Sequence, residues 1–263
     1  MRRFALPIAV CLLSSYGCAA SEDSEPAGGG NDTPNHGGAL GNVGGSTSTA
    51  GTTTGTAGTG TGGAAPGGGT CVMSAKATGM PSMVIDDFED GNADVGMIDG
   101  RLGGWFLATD GTGTTTPKAP GAPVPEAGGM PGKAIHVTGS GLTSWGASLS
   151  ASITPAMGCY DASAFTGITV MMKGTGTVWV SVLTAAVRAA PSGMQNQYKK
   201  MVTLTADWTP VPIVFTELTQ PGGWGMIVPF DATKVYGVDF GPATAPPTPT
   251  AFDFWVDNLS FSK

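Results

Sequence analysis

At 263 residues, with a formal net charge of -7 and only 12% charged residues, the chain has no basic stripe to neutralise phosphates. That argues against a nucleic-acid partner. Its 43 glycines and 20 prolines, set among Thr and Val, disfavour a helical bundle and favour short strands joined by turns.

Residues 1–18 read as an export signal. Met1-Arg2-Arg3 is a positive start, and Phe4 to Tyr16 is an apolar run too short to span a bilayer. Gly17-Cys18 resembles the end of a bacterial lipoprotein signal, with Cys18 lipidated. Cys18-Ala19-Ala20 also reads as an ordinary cleavage site after Ala20. An anchored chain is expected at the outer membrane or cell surface, and a cleaved one in the periplasm or medium. Residues 19–70 hold almost no large apolar side chains and run into GGSTSTAGTTTGTAGTGTGGAAPGGG. They cannot bury a core and are expected to be a disordered Gly/Thr-rich linker. About 50 residues of this composition span roughly 40 Å r.m.s..

Residues 71–263 have a different texture. Short apolar runs alternate with Gly, Pro and Thr turns, and no segment sustains a 3.6-residue period. Strands are expected over 82–88, 105–109, 133–138, 147–152, 167–173, 177–184, 199–205, 211–215, 235–240 and 252–261. Evenly spaced short strands without helices predict one all-β domain, an antiparallel β-sandwich or barrel. In the 177–184 strand, Val178, Val180 and Val182 fall on one face, and Trp179, Ser181 and Leu183 on the other. Cys11 lies in the signal and Cys18 is the anchor candidate. That leaves Cys71 and Cys159 as an even pair in an oxidising compartment, expected to form a disulfide.

Two acidic strands bracket this region: VIDDFEDG (84–91) and FDFWVDNLSF (252–261). Each sets carboxylates in an apolar run, where unpaired charge is costly. The pair is expected to lie side by side. Their acids either hold a hard cation between them or face water at the strand ends.

In order, IDDFEDG, GGWF, YDASAFTGITVMMKG (160–174), DWTPVPIVFTELTQPGGWG (207–225) and FDFWVDNLSF resemble the galactose-binding-like jelly-roll carbohydrate-binding domains. The pattern is similar to the family 11 carbohydrate-binding modules and to the complex I intermediate-associated protein domain. The resemblance implies a jelly roll of two antiparallel sheets, one concave, with the first and last strands adjacent. It implies a structural calcium (Ca2+) held by Glu89 and Asp257, with Asp87 or Asp86 contributing. It also implies a monomer that binds a β-glucan-like polysaccharide without catalysis.

Sugar recognition combines aromatic platforms with amides, carboxylates and Arg. The candidates are Trp145, Trp179, Arg188, Gln195, Gln197 and Tyr198, with Trp105, Trp224 and His136 weighed beside them. Four of the six lie in TAAVRAAPSGMQNQYKK (184–200), which joins two strands. Trp208 and Trp255, in apolar runs, are expected in the core, and Trp224 as the wedge of a turn. The family's sugar-contacting Tyr, Asp and Arg have no motif match here. Neither HExxH, nor G-x-S-x-G, nor a phosphate loop occurs. Glu126, Asp161, Glu217 and Asp239 are the carboxylates that a glycosidase would draw on. The expectation is a non-catalytic module. The alternatives are an adhesion lipoprotein with a protein partner, and an accessory domain with weak glycoside hydrolase activity.

Overall fold

A computed structural model describes residues 70–75, 82–243 and 251–263. The export signal, Cys18 and the linker lie outside the described residues. In chain order the strands are β1 (Met73–Ala75), β2 (Val84–Asp86), β3 (Asp94–Val95), β4 (Gly103–Thr109), β5 (Thr114–Thr116), β6 (Glu126–Gly129), β7 (Gly132–Ser140) and β8 (Ala147–Ser152). They continue with β9 (Gly158–Tyr160), β10 (Gly167–Thr175), β11 (Thr177–Thr184), β12 (Tyr198–Thr203), β13 (Thr209–Val214), β14 (Val235–Pro242) and β15 (Phe252–Ser262). A single helical turn, α1 (Ala185–Arg188), follows β11.

The strands form a two-sheet jelly-roll sandwich. One sheet runs β12-β11-β14-β8-β4-β3, with β9 beside the start of β14 and β1 beside β9. The other runs β13-β10-β15-β7-β5, with β2 on β15 and β6 on β7. All these pairings are antiparallel except β1 with β9. The two-residue period decides which side chains meet. Val180, Phe240, Leu149 and Leu107 stand in register across the first sheet and point into the sandwich. Met172, Val256 and Ile135 do the same from the second, with Phe254 opposite Val137 beside them. Burying each such side chain contributes about 1.5–3 kcal/mol.

The bracketing strands do pair, Leu259 opposite Asp86. The first of them is shorter than expected, for a local reason. Asp86 Oδ1 accepts the Phe88 N–H at 2.8 Å, and this turn puts Phe88 at φ 62. Phe88 then drops into the core against Trp105, ring centroids 5.0 Å apart. The strands β1, β3, β5, β6 and β9 escaped the sequence because each has only two to four residues. Trp208 and Trp255 are not in the core. Trp255 alternates with Phe254 and Val256 and stands on the outer face of the second sheet, with Trp208 edge-on to it at 6.4 Å.

Cys71 and Cys159 are disulfide-bonded, with Cα atoms 5.6 Å apart, as expected. The bond fastens the segment before β1 to β9.

Candidate functional site

The outer face of the first sheet carries an ordered polar row. Lys199 on β12 is in register with Ser181 on β11, Ser181 with Asp239 on β14, Asp239 with Ser150 on β8, and Ser150 with Phe106 on β4. Five adjacent strands make this row about 19 Å long. It exists because each strand alternates. The partners of Ser181 and Asp239 along their own strands are core residues, so these two must face outward.

Asp239 is the centre of the row. Its Oδ1 accepts hydrogen bonds from the hydroxyls of Ser148 and, at 2.8 Å, Ser150. Burial lifts the Asp239 carboxyl to about 6, against the pull of those two hydroxyls, the Phe240 N–H and Lys199. Burial likewise holds the Lys199 ammonium below its ordinary value, with Asp239 opposing. Between them, Ser181 Oγ is buried and has no hydrogen-bond partner among the described residues. Burying a hydroxyl with no partner is costly, and a bound water at Ser181 Oγ would recover that cost.

Trp179 is the aromatic part of this face. Its indole lies over Gly241, and a Cβ at that position would overlap both the ring and the Ala147 carbonyl. Met201 stands opposite Trp179 on β12, and the Lys199 ammonium is 5.7 Å from the indole centroid. Trp145 is 46% exposed, two residues before Ala147 and thus at the Trp179 end of the sheet. Its loop is fixed by Asp110, whose Oδ2 accepts the N–H groups of Ser144 and Gly146 at 2.9 Å each.

The other sequence candidates take different places. Arg188 donates to the Gly158 carbonyl at 3.2 Å and lies 4.4 Å over the Tyr236 ring, tying α1 to the sheet. Gln197 reaches the Tyr236 hydroxyl, whose titration burial pushes up to about 12, and its own Oε1 is buried without a partner among the described residues. Gln195 Nε2 donates within its own loop to the Ala190 carbonyl at 3.5 Å. Tyr198 turns inward, because its register partner is the core residue Val182. It packs edge-on against Phe230 and donates to the Val228 carbonyl. Trp105 is buried, with Nε1 donating to Asp86 Oδ2 at 2.7 Å. Trp224 is 54% exposed rather than wedged in its turn. The structure therefore brings Trp179 to the outer face, keeps Ser181 on the face that alternation gave it, and adds Lys199, Ser150 and Phe106, which were not among the sequence candidates. The alternation that faced Trp179 outward also faces Ser181 outward, and VYGVDFGP repeats the pattern for Asp239.

The four carboxylates weighed for hydrolysis are dispersed. Asp239 lies on the outer face of the first sheet. Glu126 pairs with His136 at 3.0 Å on the outer face of the second. Glu217 pairs with Lys200 at 2.7 Å, and Asp161 accepts from Ser163.

The acids of the bracketing strands meet under the turn between β6 and β7. Asp257 is fully buried, and its oxygens accept the N–H groups of Met130 at 2.6 Å and Asn258 at 2.7 Å. Burial raises the Asp257 carboxyl, the two N–H groups oppose the rise, and the charges of Glu89 and Asp87 add to it. Glu89 Oε1 accepts the Lys133 N–H at 3.1 Å. Asp86 is committed to Phe88 and Trp105 instead. Among the described residues no three His, Cys, Asp or Glu side chains converge as a ligand set, so a cation here would draw on backbone carbonyls as well.

No family model and no curated protein sequence matches the chain. Solved structures do. The chain is similar to the family 11 carbohydrate-binding module of a cellulosomal cellulase of Clostridium thermocellum, with a TM-score of 0.46 and 16% identity over 70% of this chain and 96% of that one. It is also similar to a family 11 module from Clostridium thermocellum in complex with a beta-1,3-1,4-mixed-linked tetrasaccharide, at 0.44 and 17% over 70% and 97%. A family 30 carbohydrate-binding module follows at 0.41 and 15% over 60% and 80%.

Proposed function

We propose that this protein is a non-catalytic carbohydrate-binding module whose ligand is a polysaccharide lying across the outer face of the first sheet. The observation that carries this is the row Lys199–Ser181–Asp239–Ser150 beside the Trp179 indole, in which Lys199, Asp239, Ser150 and Trp179 are partly exposed. The row supplies donors and acceptors for sugar hydroxyls, and the indole supplies an apolar surface for C–H faces. A glycan array tests it. The wild-type protein is expected to bind at least one neutral polysaccharide, and Trp179→Ala to weaken that binding by about tenfold. Silence across a broad array would remove the reading.

The same reading includes a calcium ion held by Asp257 and Glu89, with Asp87 near them. The like charges around a buried carboxylate support it, since a divalent cation would offset them. It also includes export with a lipid on Cys18, supported by the Gly17-Cys18 pattern. Acyl labelling is expected to disappear in Cys18→Ser.

A further inference from the structure

The opposite face of the sandwich has a second set of groups that the first face does not use. Thr116 on β5 is in register with Thr138 on β7, Thr138 with Asp253 on β15, and Asp253 with Thr175 on β10. These residues, with Thr114 and Phe252, line an open groove of about 370 Å³. That volume falls within the range of small-ligand clefts, about 300–1,000 Å³. The hydroxyls of Thr114, Thr116, Thr138 and Thr175 make no hydrogen bond to another described residue, so the groove presents donors and acceptors free for a ligand.

Asp253 is held in place from the side. His136 Nε2 lies 3.0 Å from Asp253 Oδ1, and His136 Nδ1 lies 3.0 Å from Glu126 Oε1. The imidazole stacks on Trp255, centroids 4.0 Å apart and planes 9° off parallel. On the far side of Trp255, the Lys173 ammonium sits 4.5 Å from that indole and 4.7 Å from Trp208. This cross-strand ladder fixes one oxygen of Asp253, and Oδ2 remains without a partner among the described residues.

We propose that this groove is a second carbohydrate-binding site, separate from the first-sheet face and specific for an uncharged glycan. The chemistry selects the class. A hard cation needs several carboxylates, and the groove has one. An anion meets the Asp253 carboxylate, while the nearby ammonium of Lys173 is enclosed by two indoles. A protein partner needs an apolar centre, and the only large apolar side chain in the groove, Phe252, is 7% exposed. What remains is a neutral, many-hydroxylated ligand. Its hydroxyls match the threonine row, and its C–H groups match the threonine methyls. Two sites on opposite faces let one copy hold two chains, or two stretches of one chain, which strengthens attachment to an insoluble polysaccharide without a second copy.

Affinity electrophoresis of the full chain in mixed-linkage β-1,3-1,4-glucan, xylan and galactomannan tests the second site. A Trp179→Ala, Asp239→Ala double variant disables the first face. In that background at least one polysaccharide is expected to retard the protein still. Adding Thr138→Trp, which fills the groove, is expected to weaken this residual retardation at least tenfold. Asp253→Asn, which keeps the volume and the fold, is expected to weaken it severalfold. Near-UV circular dichroism confirms that each variant is folded. The second site is overturned if the double variant runs free on every glycan that retards the wild-type protein. It is also overturned if neither groove substitution changes the residual retardation, or if no glycan retards the wild-type protein at all. Retardation that ignores the double variant but disappears with Thr138→Trp overturns the first-face reading and supports this one.

Discussion

Asp239 and Asp86 share a situation that makes a measurable pH dependence. Each is an aspartate whose titration burial lifts from 3.8 to about 6. The folded chain thus binds these two protons more tightly than the unfolded chain does. The stability they contribute is complete below about pH 4 and is lost as pH rises through about 6. Asp239→Asn keeps the shape and removes the charge. At pH 8 it is expected to raise the stability by about 1–2 kcal/mol, with the gain shrinking to nothing near pH 4. Urea midpoints at the two pH values check this. Glycan binding has the opposite sense: the ionised acceptor is lost below about pH 6, so affinity at the first face should fall there. Asp257 gives a separate test. With the cation bound, adding EDTA is expected to lower the melting temperature by several degrees, and Asp257→Asn to remove that difference. A melting temperature indifferent to EDTA would dispose of the ion.

At the scale of elements, β14 decides whether the first face can work. Its outward positions are Gly237, Asp239 and Gly241, and the two glycines leave room for side chains from β11 to lie across them. Gly241→Ala sets a methyl into the Trp179 ring and against the Ala147 carbonyl. It is expected to cost about 1–3 kcal/mol. It should also weaken glycan binding about as much as Trp179→Ala, though it deletes no contact group; a melting curve and the same array read both. The strand β15 shows how far the sequence could be read. Its pairing with β2 was legible because both runs are apolar and acidic together. The face of Trp255 was also written there, since Phe254 and Val256 flank it, but the overall apolarity of FDFWVDNLSF suggested burial on both sides. A strand on the surface of a sandwich buries one face only, so period outweighs composition. Tyr198 escaped for a different reason. Its direction depends on pairing opposite Val182, and register across a connection of 13 residues is not a property of either strand alone.

For the whole molecule, the sandwich and the disulfide were legible, and the make-up of the two proposed faces only in part. Strand periods and paired cysteines are local signals. A face is assembled from five strands that the topology interleaves, so Lys199, Asp239 and Ser150 become neighbours only once the sheet order is known. The Cys71–Cys159 bond spans 88 residues of sequence, and constraining that much unfolded chain contributes about 4–5 kcal/mol on entropic grounds. Oxidised and reduced protein in urea should differ by up to that amount. A close match between the two would mean that the unfolded chain is already compact.

The position of that bond also governs how the domain bears load. When the chain is pulled from residue 70, the force does not peel β1 and β2 from their sheets. It crosses the sulfur bridge into β9, whose Tyr160 pairs with Val235 of β14, the strand that carries Asp239. Residues 72–158 lie inside the covalent loop, so a pull from residue 70 bypasses their backbone. A glycan gripped on the first face is therefore connected to the N-terminal side by a short mechanical path through the centre of one sheet. Reduction would insert about 300 Å of extensible chain into that path.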